Sequence, residues 1–321
     1  MKTINCLILY FFLLLSPALH AQELNLFYLD LIDKKNSENI GFISLSEIYR
    51  YDVNPSLHDS LAMPDHKEIN DFHYIRLDSA YRERFLLRTD VSETDKVFIY
   101  DYATDLLKTF KVKDLKVAAI LNNYTSPEEC PCPQYYYMMG LEIDGKLLEG
   151  FKKHFNNTVV YIGKKNPFVR RQLKPMIWEK SESIDFPYPA SKSDSVKHSF
   201  GFGVCTIGNT YTLESEGFQY FVQDFIEGYG DVIARLLVVI HSETKEIVCE
   251  KFYSDSEGTG LAPLQLFNSE STFGAEQWTG KLFENKPPVV FGFEYHSFGC
   301  PAISFLDKSE TDIYIKCDNR H

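Results

Sequence analysis

Two histidines and two cysteines near the C-terminus have the types and spacing of a metal site. His296 and Cys300 form H-x3-C, and Cys317 and His321 form C-x3-H. Imidazole nitrogen and thiolate sulfur are the usual ligands of tetrahedral zinc. The same cysteines flank two candidate strands, 302–306 and 312–316, joined by a turn-like stretch at 307–311. Strands joined that way bring Cys300 and Cys317 together as a disulfide. In the chain-entropy account, such a closure stabilises the fold by ~3 kcal/mol. An oxidising compartment favours that bond over metal thiolates, and His321 is the last residue. The disulfide is the preferred reading, with no metal and no other cofactor expected.

Cys205 ends the Gly-rich stretch Gly201-Phe202-Gly203-Val204-Cys205. A catalytic thiolate needs a histidine within hydrogen-bond reach. His241, at the end of a neighbouring candidate strand, could supply it, which would make an envelope or extracellular hydrolase. The competing reading makes Cys205 a bridge member or a buried strand residue. Cys130-Pro131-Cys132 resists a bridge within itself, because C-x-C closure is strained.

Other polar groups carry weaker signals. Residues 255–260 begin like a calcium loop, but Tyr253 and Leu264 occupy positions where oxygen ligands belong. Glu128 with Glu129, and Glu214 with Glu216, are carboxylate pairs of the kind glycoside hydrolysis needs. In a chain with 45 acidic residues such pairs are expected on the surface. The sequence holds no G-x-S-x-G elbow, H-E-x-x-H motif or P-loop. Tyr135, Tyr136 and Tyr137 form the densest aromatic cluster. Exposed tyrosine suits protein recognition, although strand alternation turns Tyr136 away from its neighbours and leaves one face for packing.

The elements that must position these groups read mostly as strands. KVFIYDY (96–102) and LLKTFKV (106–112) flank a hairpin turn, and 232–241 and 246–253 flank another. Further strands are predicted near 24–31, 40–45, 115–121, 135–143, 158–162, 200–207 and 289–295. Three helices are predicted. A short one lies within 66–84. A second at 146–155 lines up Leu147, Leu148, Phe151 and Phe155. The clearest, at 215–228, repeats Phe218, Phe221, Val222, Phe225 and Ile226, with Ser215 as cap and Gly228 as stop. The expected fold is β-dominated α+β, with antiparallel meanders and two or three packed helices.

Residues 1–21 carry one lysine, an apolar run, Pro17 and then Ala21, the plan of a secretory signal peptide cut near Ala21. The Ser- and Pro-containing segment 187–198 is a linker candidate between modules at 22–186 and 199–321. The modules share a faint echo. Met139-Gly140-Leu141-Glu142 matches Phe291-Gly292-Phe293-Glu294 in type, and a hairpin precedes each.

Composition then bounds the function. The 321 residues are 44% hydrophobic and 24% charged, which excludes collagen, coiled-coil rods and wholly disordered chains. Without Lys2, 32 basic residues face 45 acidic ones, a net charge of −13 over residues 22–321. Such a chain repels nucleic acid and anionic membranes. The expectation is an exported, non-catalytic protein that binds a protein or envelope component, without membrane insertion after the leader is removed.

Overall fold

The computed structural model describes residues 24–33, 39–50, 74–121, 137–151, 156–182, 186–188, 205–228, 230–267, 276–297 and 299–317. The expected leader and most of the linker candidate lie outside these residues.

The described chain is built on strands. A nine-stranded sheet has the order β10 (Leu173–Pro175), β17 (Trp278–Gly280), β18 (Val289–Phe291), β20 (Ala302–Phe305), β21 (Ile313–Lys316), β1 (Leu26–Phe27), β9 (Thr158–Gly163), β5 (Lys96–Asp101) and β6 (Leu106–Lys111). It takes strands from both sides of 187–198. Its two halves meet where β1 pairs in parallel with β21, so Leu26 lies beside Ile315. A five-stranded sheet packs on one side, in the order β2 (Asp30–Asp33), β3 (Asn39–Ser44), β8 (Tyr137–Asp144), β7 (Lys116–Leu121) and β4 (Tyr74–Arg76). A second five-stranded sheet is the meander β11 (Glu179–Ser181), β12 (Thr206–Ser215), β13 (Phe218–Glu227), β14 (Asp231–His241) and β15 (Ile247–Ser254). A small ribbon joins β16 (Thr259–Leu261) to β19 (Glu294–His296).

Burial follows the two-residue period of the strands. Val97 and Ile99 of β5 pack with Ile43, Leu141 and Phe85 between the first two sheets. Phe98 and Tyr100 point the other way, into a core with Phe168, Phe283 and Ile315. In the meander, Tyr220, Val222 and Leu237 meet Trp178, Val290 and Phe293. Its opposite face buries Phe225, Leu236 and Val238 under Phe186 and Tyr188. Tyr188 donates its hydroxyl to Glu250, so residues beside and within the linker candidate are packed against a sheet.

The helical expectation is corrected. The described residues are 53% strand and 10% helical, with one α-helix. That helix, α1 (Ser79–Thr89), begins where Asp78 accepts hydrogen bonds from the Ala80 and Tyr81 amides. It overlaps only the end of the predicted 66–84 helix. The helix expected at 146–155 is a single 3-10 turn, Gly145–Leu148, and residues 152–155 lie outside the description. The helix expected at 215–228 is β13. Glu216 and Gly217 both have positive φ, 50° and 83°. They form the two-residue turn that joins β12 to β13 and sets Ser215 opposite Phe218. Both faces of β13 are buried, so its apolar residues mimic a helical stripe without being one.

Candidate binding site

The residues singled out in the sequence are widely dispersed. Cys205 precedes Thr206, whose partner across the meander is Ile226, opposite Val232. His241 lies nine residues beyond Val232 on β14, roughly 30 Å away at the strand rise. No proton can pass directly between side chains so far apart. Instead, His241 Nδ1 accepts from the Glu243 and Thr244 amides at 3.3 and 3.4 Å and shapes its own hairpin turn. Cys205 and Cys249 are both buried, and burial pushes the Cys249 thiol up to about 11. Tyr137 is fully buried in the core, while Tyr135 and Tyr136 lie outside the described residues.

Cys300 and Cys317 form the expected disulfide, with Cα atoms 5.5 Å apart. Bonded sulfurs are not thiolate ligands. His296 Nδ1 lies 3.1 Å from Thr259 Oγ1, burial lowers the His296 pKa, and His321 is outside the described residues. The bridge meets Glu47, whose Oε1 accepts from the Cys317 amide at 3.1 Å and lies 3.6 Å from Cys300 Sγ. The calcium-like stretch forms a tight turn, with Ser256 bridged to Thr259. Glu214 accepts from Gln219 at 2.6 Å and Glu216 pairs with Lys174 at 2.7 Å. Glu128, Glu129, Cys130 and Cys132 are outside the description.

A groove that the sequence reading missed lies at the turn end of the disulfide-closed hairpin. Parallel pairing of β1 with β21 carries Leu24 and Asn25 to the start of β21. Together with the β20–β21 turn and Lys286, they enclose a cavity of about 260 Å³. Lys286 Nζ is held by Glu310 at 2.7 and 3.0 Å, with its ammonium 5.6 Å from the Phe305 ring centre. Asp312 is held by Lys251 at 2.6 Å. Alternation along β21 buries Ile315 and leaves Tyr314 and Lys316 on the other face. Tyr314 is 64% exposed, and no carboxylate among the described residues pairs with Lys316.

The groove combines aromatic surface, hydroxyl and amide groups, and one cation that no described carboxylate neutralises. Those are the elements of a small recognition site with a polar rim. No sequence motif marks it, because its residues come from three separate stretches that only the strand pairing unites. Comparison with family models, curated proteins and solved structures finds no match to this chain.

Proposed function

We propose that this chain is an exported, non-catalytic binding protein that engages a protein or envelope component through the groove at β21. The observation that carries the proposal is exposed Tyr314 on the same strand face as Lys316, which no carboxylate among the described residues neutralises, beside a formed cavity. Tyrosine supplies a rigid, amphipathic contact surface at low entropic cost. Lysine adds a charge on an apolar stem. The Cys300–Cys317 bridge supports the reading, since it fixes the hairpin that presents both residues and suits an oxidising compartment.

Site-specific photo-crosslinking in intact cells tests it. A photoreactive side chain replaces Tyr314 in one variant. In a second it replaces Leu87, which is 71% exposed on α1 and is not part of the groove. The expected result is a discrete adduct from position 314 and none from position 87. No adduct from 314, or the same adducts from both, overturns the proposal.

A further inference from the structure

Resting on the groove as the binding site, we infer that it captures a free carboxylate on an acylated amino acid, as found at the C-terminus of a peptide. The inference begins with charge. Two acids and two lysines line the groove. Both acids are already committed, Glu310 to Lys286 and Asp312 to Lys251. Lys316 is the lining cation left without a carboxylate among the described residues. The local balance therefore favours an anion, within a protein whose overall charge is negative. A charge-assisted hydrogen bond from an ammonium to a carboxylate is among the stronger polar contacts available.

The neighbours of Lys316 narrow the class. Asn25 and Thr311 border the groove, and neither side chain hydrogen-bonds a described residue. Both can donate to a second carboxylate oxygen or to an amide carbonyl. Leu24, Phe305 and Tyr314 offer apolar and aromatic contact to a side chain. The ligand's own nitrogen should be acylated. A free ammonium needs an acid of its own, and both lining acids already have lysine partners. The charge of the ligand should be single. No arginine and no helix N-terminus lines the groove, so the features that usually hold a phosphate dianion are missing from its lining. A cavity of about 260 Å³ lies just below the usual range of small-molecule sites, which suits one terminal residue better than an extended segment.

The test uses the oxidised, leaderless protein, with N-acetylphenylalanine, its uncharged amide and inorganic phosphate as probes. Amide NMR shifts follow binding. The expected result is saturable shifts at residues 311–316 with the acid, and binding of the amide weaker by about tenfold or more. Lys316→Met keeps the apolar stem and should bring the acid down to the level of the amide. Lys316→Arg should retain the preference, and unchanged shifts elsewhere show that both variants are folded. Equal binding of acid and amide overturns the inference, as does the absence of shifts at 311–316. Phosphate binding as tight as the acid shows a site for adventitious anions only, and overturns it too. An adduct from position 314 without any acid preference sinks this inference alone. Loss of both sinks the groove as the binding site.

Discussion

Arg235 and Asp224 face each other on adjacent strands of the meander, and Arg235 Nε donates to Asp224 Oδ1 at 3.0 Å. Their side chains are only 10% and 2% exposed. Arg235 also donates to the Ala262 carbonyl, so one guanidinium ties the sheet to the segment after β16. The pair lies within the fold, and neither residue lines the groove. It therefore reports on packing within the meander.

Removing the arginine should be costly and pH-dependent. Burial raises the Asp224 pKa, against the opposing pull of Arg235 and a hydrogen bond from Tyr211. In Arg235→Met the carboxylate loses its counter-charge and its pKa rises further. The folded state then pays most where Asp224 is forced to ionise. At about pH 8 the expected loss is ~3–5 kcal/mol. It should shrink as the pH falls and the carboxyl protonates. Urea unfolding at both ends of that range checks the sign. An equal loss throughout would mean that lost packing, and not an unpaired charge, explains the cost.

Asp105 has the opposite sign. It sits in the left-handed region, with φ 55°, at the tip of the β5–β6 hairpin. It accepts from the Arg171 amide and from the Arg170 and Arg171 side chains at 2.9 to 3.0 Å, and from Tyr100. Burial alone would raise its pKa, but hydrogen bonds from Arg171, Arg170 and Tyr100 together outweigh it and hold the carboxyl below its ordinary value. A depressed acid contributes stability above its unfolded pKa and loses it as pH falls through the folded one. Asparagine tolerates the same backbone, so Asp105→Asn removes the charge and turns one accepting oxygen into a donor without straining the turn. Arg171 is 81% exposed, and solvent screening keeps the expected cost at about 1 kcal/mol near neutral pH. Melting curves for the two proteins should converge only as the pH falls through the lowered pKa of folded Asp105. A gap that persists below it would assign the cost to something other than the charge.

The described cysteines should differ in reactivity according to burial and bonding. Cys205 and Cys249 belong to different cores, and each is only 3% exposed. Alkylation of the folded protein near pH 8 should leave Cys249 unmodified, because the thiolate is the reactive form and burial suppresses it. Unfolding without reductant should release Cys249, and only reduction should release Cys300 and Cys317. Mass spectrometry counts the added groups. Native-state modification of Cys249 at the rate of a free thiol would contradict its burial.

Much of the architecture was legible because strand signals are local. The β5–β6 and β14–β15 hairpins fall where turn residues interrupt apolar runs, and the Cys300–Cys317 bridge follows from the hairpin between them. The reading failed at β13 for a physical reason. Tyr220 and Val222 feed one core while Phe221 and Phe225 feed another, so no polar face marks the strand period. The Glu216-Gly217 pair was the available signal for a hairpin there. The groove at β21 was beyond reach because pairing of β1 with β21 joins the two ends of the described chain. Nothing in local spacing encodes that contact.

Gly292 offers a last prediction, at one of the echoed tetrapeptides. It has φ 89°, and an added Cβ would lie 1.9 Å from the Glu276 carbonyl oxygen. Its own carbonyl accepts from Gln277 Nε2 at 3.1 Å, so the segment cannot swing away freely. Gly292→Ala therefore combines left-handed strain with a backbone collision. Gly217 provides the control, since it has φ 83° and nothing within 4 Å of the added carbon. Gly217→Ala should lose only about 1 kcal/mol from strain, whereas Gly292→Ala should lose about 3 kcal/mol or more. Chemical denaturation of the two variants separates strain from collision. Equal losses would show that the approach of Glu276 relaxes at little cost, and that φ alone requires glycine at position 292.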